Sequence, residues 1–143
     1  MIHPPNVLVM DDDSGSRDAI CNYLAAKGYR LTVARNAAQG LEAVTRLVPD
    51  LIICDLTLPD RSGLRVLEQI RLTRSIPFVM LTTLGGPALR SLALLMGADD
   101  VLKKPFSLNR LFEIVSRICP LPSPVPREAA PQLDETASTN VKS

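Results

Sequence analysis

The chain of 143 residues contains one histidine, three cysteines and no tryptophan. Because the single histidine, His3, lies close to the N-terminus, histidine-based triads and histidine-rich metal sites are nearly excluded. The cysteines Cys21, Cys54 and Cys119 are odd in number and lack metal-ligand spacing, so we expect reduced thiols in a cytoplasmic protein. Aromatic residues make up only 3% of the chain, which argues against a site that stacks a flavin.

Long apolar runs and blocks of like charge are also missing. No apolar run approaches the roughly 18 residues of a membrane helix, and the first residues lack a signal-peptide pattern. The net charge of +1 comes without a basic block that would favour a nucleic-acid partner. The composition, 46% hydrophobic and 22% charged, is that of an ordinary globular domain.

Along most of the chain, short apolar runs alternate with segments in which apolar residues recur at helical spacing. The run Leu51–Asp55 predicts a strand buried on both faces, and further β-type runs occupy residues 7–10, 29–34, 78–81 and 101–102. After each run, apolar residues recur at helical spacing, which predicts five helices. Five strands alternating with five helices imply right-handed crossovers and a doubly wound α/β fold with a parallel sheet.

The texture of the sequence changes after about residue 118. Five prolines between residues 120 and 131 separate small and polar residues as far as Ser143. Such a segment has too little apolar surface to order itself. We therefore expect one domain over residues 1–118 and a proline-rich linker or disordered tail over residues 119–143.

Polar side chains follow four of the predicted strands. They are Asp11 to Asp13 after the first strand, Asp55 after the third, Thr82 and Thr83 after the fourth, and Lys104 after the fifth. Open α/β sheets bind ligands beyond the carboxyl ends of their strands. Carboxylate oxygens suit Mg²⁺, a lysine can neutralise a phosphoryl group that a carboxylate attacks, and a threonine hydroxyl can bind a phosphoryl oxygen. The sequence predicts a cation and phosphoryl site at this edge.

Five separate stretches together resemble the receiver domain of bacterial response regulators. They are Val7 to Asp13, Asp55 with Pro59 and Gly63, Thr82, Gly97-Ala98-Asp99-Asp100, and Lys104-Pro105-Phe106. The resemblance covers about residues 6–118. It implies a flavodoxin-like sheet of five parallel strands in the order 2-1-3-4-5 with five helices.

The resemblance also implies a role for each residue at the site. Asp55 would accept a phosphoryl group from a sensor histidine kinase or a phosphorelay protein. Mg²⁺ would be bound by Asp11, Asp12, Asp55 and the backbone carbonyl of Thr57. Lys104 would pair with the phosphoryl group, and Thr82 would supply the switch hydroxyl. The Lys104–Pro105 peptide bond would be cis.

A receiver of this kind is a switch rather than an enzyme, although it assists its own phosphorylation. Phosphorylation would bias the surface formed by the fourth helix, fifth strand and fifth helix. That surface would act on a second copy in a homodimer, or on an output domain beyond Ser143. We expect no membrane contact, and nucleic-acid binding only through such an output domain.

Three residues depart from the resemblance. Val101 stands where an aromatic residue is usual, so coupling between Thr82 and the last strand is expected to be weaker or carried differently. Thr83 replaces a smaller residue and narrows the approach to Asp55. Leu84 occupies a position that often orients the hydrolytic water, and we expect slow loss of the phosphoryl group.

Two other classes of function remain open at this point. One is a receiver-like interaction module that is never phosphorylated, against which the intact acidic, threonine and lysine set argues. The other is an α/β phosphohydrolase or a flavin carrier. The hydrolase is disfavoured because Thr57, rather than an acid, lies two residues after Asp55.

Overall fold

The apolar runs form the strands of one parallel sheet in a computed structural model that describes residues 3–122. The strands are β1 Asn6–Met10, β2 Arg30–Ala34, β3 Leu51–Asp55, β4 Phe78–Thr82 and β5 Asp100–Lys103. The helices are α1 Ser14–Lys27, α2 Ala37–Leu47, α3 Gly63–Arg71, α4 Pro87–Leu95 and α5 Leu108–Ile118. The strand order is β2-β1-β3-β4-β5, so the expected doubly wound fold is confirmed.

The sheet is buried on both faces because its three central strands are apolar at every position except one end, where Asn6, Asp55 and Thr82 lie. Alternate side chains point to opposite faces of a strand. One face packs against α2, α3 and α4 and includes Met10, Cys54 and Met80, and the other packs against α1 and α5 and includes Val9 and Ile53. This explains why unbroken apolar runs, rather than alternating ones, predicted these strands.

The helix ends follow local sequence signals. Asn36 caps α2 as expected, since its side chain accepts the Gln39 N–H at 2.8 Å. Ser62 and Ser107 cap α3 and α5 in the same way. Gly28 closes α1 with a φ of 116°, a conformation that glycine adopts without strain.

Tyr29, which the sequence placed in the second strand, lies just before it. Its ring is buried, and its hydroxyl donates a hydrogen bond to the Cys119 carbonyl oxygen at 2.8 Å. Leu121 packs beside this contact, so the end of α5 is attached to the end of α1. Residues 123–143 lie outside the described residues, and the linker predicted there stays a prediction. No helix within residues 3–122 has the length and apolarity needed to cross a membrane.

Candidate phosphoryl and magnesium site

The strand register brings the predicted carboxylates to one edge of the sheet. Met10 is paired with Cys54 across β1 and β3, so the residues that follow them, Asp11 and Asp55, are neighbours at the carboxyl ends. On the next strands, the Lys104 N–H donates to the Thr82 carbonyl oxygen at 2.6 Å. The expected convergence of four strand ends is therefore present in the structure.

Three carboxylates lie close together at this edge. Asp11, Asp12 and Asp55 each have an oxygen within 4.8 Å of the others. Asp11 is completely buried, Asp55 is nearly buried and Asp12 is exposed. The Asp13 N–H donates to Asp11 Oδ1 at 3.0 Å and fixes the orientation of that carboxylate. The cluster is thus buried at its base and open to solvent on the side of Asp12.

Lys104 joins two of the three carboxylates. Its Nζ lies 2.9 Å from Asp11 Oδ2 and 2.9 Å from Asp55 Oδ2. Burial opposes the charge on Lys104, but its hydrogen bonds to the two carboxylates outweigh burial and raise its pKa. The ammonium group is therefore held charged beside the candidate phosphoacceptor. The Lys104–Pro105 bond is cis, as the resemblance implied.

The charges of the cluster fit a divalent cation. Three carboxylates and one ammonium group leave two negative charges in excess at the edge of the sheet. Burial raises the pKa of Asp55, and the nearby Asp11 raises it further, although hydrogen bonds from Lys104 and from the Thr57 N–H lower it. A cation held by these oxygens would offset both the burial of Asp55 and its repulsion by Asp11. Carboxylates with access to water are the ligands that Mg²⁺ prefers.

The loop after β3 is held close to Asp55. The Thr57 N–H donates to Asp55 Oδ1 at 3.2 Å, and Thr57 also pairs with Ser62 across the loop. The Gly63 N–H donates to the Leu56 carbonyl oxygen at 2.6 Å. A Cβ on Gly63 would clash with the Asp55 carbonyl oxygen, so only glycine allows this approach. Thr57 therefore lies beside the acidic cluster, where its carbonyl was predicted to bind a cation.

The threonine predicted as a switch hydroxyl is buried at the end of β4. Thr82 Oγ1 accepts the Leu84 N–H at 2.9 Å, so the hydroxyl oxygen is bonded to its own loop. Thr83 is exposed and lines a cavity of about 480 Å³ together with Lys104 and Phe106. Leu84 is 59% exposed. Both residues thus stand near the surface of the site, as their predicted effect on water requires.

Two features of the site region were not predicted from the sequence. Asp60 accepts hydrogen bonds from the backbone at the start of α2. The buried Asp100 forms ion pairs with Arg90 on α4 at 3.0 Å and with Arg117 on α5 at 3.2 Å. Arg90 also donates to the Val101 carbonyl oxygen at 2.9 Å. The partners in these contacts are distant from one another in the sequence, so no local sequence pattern predicts the contacts.

Comparisons with known proteins agree with the geometry. The family described as "Response regulator receiver domain" matches residues 7–116. The transcriptional activator protein PfeR of Pseudomonas aeruginosa is 36% identical over 110 residues, which are 77% of this chain and 36% of that protein. Response regulator RR06 of Streptococcus pneumoniae is 36% identical over 113 residues, 79% of this chain and 52% of that protein. The chain thus spans only about a third to a half of these relatives.

Solved structures show the same fold. The receiver domain of the Francisella response regulator 1452 superposes with a TM-score of 0.78 at 30% sequence identity, covering 80% of this chain and 95% of that one. A CheY-like receiver domain protein of Methanospirillum hungatei gives 0.75 at 27% identity, covering 80% and 92%. Family match, sequence relatives and fold agree, and the chain belongs to the response regulator receiver domains of two-component systems, which are signalling switches.

Proposed function

We propose that the chain accepts a phosphoryl group on Asp55 from the phosphohistidine of a sensor kinase or a phosphotransfer protein, in a reaction that requires Mg²⁺. The observation that carries the proposal is the position of Asp55. Its carboxylate is nearly buried, yet it lies at the open edge of the sheet beside two further carboxylates and one lysine. This arrangement is costly for a residue with only a structural role.

The proposed step is a displacement at phosphorus. An Asp55 carboxylate oxygen forms a new P–O bond while the P–N bond of the donor phosphohistidine breaks, and the donor imidazole keeps the electron pair and takes a proton. Mg²⁺, when bound by Asp11, Asp12, Asp55 and the Thr57 carbonyl, would neutralise charge on the transferred group. The hydrogen bond from the Thr57 N–H orients Asp55 Oδ1, the oxygen that would attack phosphorus.

Lys104 and Thr82 complete the proposed chemistry. Lys104 Nζ, which is 2.9 Å from Asp55 Oδ2, would move its hydrogen bond to an oxygen of the new phosphoryl group. The Thr82 hydroxyl would leave the Leu84 N–H and donate to another phosphoryl oxygen. The loss of that bond would release the start of the loop before α4, and phosphorylation would thereby reach α4.

The surface of α4, β5 and α5 is the proposed output. Asp100 on β5 joins Arg90 of α4 to Arg117 of α5, so the three elements are linked by charge. Arg90 also contacts the backbone of Val101, where the family usually has an aromatic side chain. A shift of α4 would therefore alter this whole surface, which we propose as the contact with a phosphorylation-dependent second copy or an output domain.

The wider context belongs to the same proposal. Because the relatives are two to three times longer than the matched region, we propose an output domain beyond Ser143, joined by the proline-rich segment that follows the packed residues Cys119 and Leu121. PfeR is named as a transcriptional activator, and nucleic-acid binding would come only through such a domain. A cytoplasmic location is proposed because the cysteines of the described region are all free thiols.

The test is labelling by a small acyl phosphate with and without Mg²⁺, followed by intact mass. We expect one phosphoryl group per chain in the presence of Mg²⁺ and none after chelation with EDTA. Failure to label under both conditions would leave a receiver-like module that acts without phosphorylation. Sustained hydrolysis of phosphate esters would instead point to a phosphohydrolase.

A further inference from the structure

Asp60 connects the loop between β3 and α3 to the N-terminus of α2. Its Oδ1 accepts the Ala37 N–H at 2.8 Å, and its Oδ2 accepts the Ala38 N–H at 3.0 Å. The first N–H groups of a helix have no acceptor within the helix, and the helix dipole favours a negative charge there. The hydrogen bond from Ala37, supported by that from Ala38, lowers the pKa of Asp60. The contact therefore uses both oxygens of a charged side chain.

The loop that Asp60 anchors also contains Thr57. Thr57 pairs with Ser62, and the Gly63 N–H bonds to the Leu56 carbonyl oxygen, so the two ends of the loop are held together. Within the described residues, the tip of the loop is held by other elements, among them α3, to which Arg61 is attached by a hydrogen bond to Gln69. Leu58, which precedes Pro59, is buried in the core beneath the tip. Asp60, which follows Pro59, accepts a hydrogen bond from the backbone of α2.

We propose that Asp60 is a positioning residue for the magnesium site. By fastening the tip of the loop to α2, its carboxylate keeps the Thr57 backbone at the distance from Asp55 that a shared cation needs. This inference rests on the proposed function, since it concerns the same cation. It adds a residue that does not itself contact the acidic cluster.

A purely structural role for Asp60 would be the capping of α2. The chain offers a matched control for that role, because Asn36 also caps α2 and accepts the Gln39 N–H at 2.8 Å. Asn36 lies before α2 and makes no hydrogen bond to the loop in the described part of the chain. Asn36→Ala removes a cap without releasing the loop, whereas Asp60→Ala does both.

The experiment is a titration with MgCl₂ followed by the amide NMR signals of residues 55–57, with urea unfolding measured on the same variants. We expect Asp60→Ala to weaken Mg²⁺ binding about tenfold, the lower end for residues that orient metal ligands. Asn36→Ala should lower stability by a similar amount and leave Mg²⁺ affinity unchanged. Asp60→Asn, which keeps one acceptor oxygen, should fall between wild type and Asp60→Ala, and it serves if the alanine variant does not fold.

Four results would overturn the inference. Wild-type affinity in Asp60→Ala, or equal weakening in Asn36→Ala, would reduce Asp60 to a helix cap. A loss that disappears at high ionic strength would mean that the carboxylate acts through its charge alone. If the wild type itself does not bind Mg²⁺, the proposed function fails and this inference fails with it, and that result is distinct from the other three.

Discussion

Replacement of Lys104 by methionine should destabilise the domain strongly when Mg²⁺ is absent. Lys104 is 15% exposed and contacts two carboxylates, of which Asp11 is fully buried and Asp55 is 12% exposed. Methionine keeps most of the length of the side chain but leaves both carboxylates without their cation. Removal of one partner from a buried ion pair costs about 3 to 5 kcal/mol, and we expect about 3 kcal/mol because the site is open beside Asp12.

Mg²⁺ should partly rescue this variant. An ion at about 100 times its dissociation constant adds about 2.7 kcal/mol to the stability of a protein that binds it only when folded. In Lys104→Met the ion enters a cluster of three carboxylates with no ammonium group beside it, so it should bind more tightly than in the wild type. The stability gap between the two proteins should therefore narrow.

The assay is urea unfolding followed by circular dichroism, in EDTA and in saturating MgCl₂. The matched control is Lys103→Met, since Lys103 is exposed at the end of β5, and a surface substitution should change stability by about 0.5 kcal/mol or less. If Lys104→Met loses no more stability in EDTA than this control, the charge argument is refuted. It is also refuted if Mg²⁺ leaves the gap unchanged.

Two further predictions concern the lifetime of the phosphoryl group and the stability of the domain at high pH. Thr83→Ala, which opens the approach, and Leu84→Glu, which orients water, should each speed the decay of the phosphorylated protein, measured as loss of radiolabel. Burial raises the pKa of Tyr29 to about 12, so the folded domain holds that proton longer than the unfolded chain. Stability should fall as pH rises from about 10 towards 12, and Tyr29→Phe should lack this component while losing about 1 kcal/mol at neutral pH with its hydrogen bond.

Each of these predictions has a clear contrary outcome. Unchanged decay in both the Thr83 and the Leu84 variants would mean that neither side chain limits the attack of water. Unfolding free energies of wild type and Tyr29→Phe that run parallel between pH 9 and about 12 would contradict the buried tyrosine as the cause. The difference between the two proteins isolates the contribution of Tyr29.

The strands and the acidic cluster were predictable because they depend on local patterns and one general geometric rule. Unbroken apolar runs indicate buried parallel strands, and the carboxyl ends of such strands meet at one edge. Asp11 and Asp55 each follow a run directly, so their meeting required no knowledge of the loops. The observed neighbours Met10 and Cys54 confirm that reasoning.

The anchors around the site were not predictable for the opposite reason. Asp60 looks like an ordinary loop residue in the sequence, because its partners lie 22 and 23 residues away and are backbone groups. Asp100 was noticed only as part of a family pattern, and its link between two helices depends on packing. Tyr29 was predicted inside a strand because tyrosine has a high β propensity. Its buried contact with the end of α5 joins residues that are far apart in the sequence, so no local pattern indicates it.

The most direct test of the account is to locate the phosphoryl group. The protein is labelled with a small acyl phosphate in Mg²⁺ and reduced with borohydride, which converts an aspartyl phosphate to homoserine, and the peptides are sequenced by mass spectrometry. The account predicts homoserine at position 55 in the wild type, and none in Asp55→Asn, which should remain folded. Conversion at another acidic residue, or equal labelling of Asp55→Asn, would contradict it.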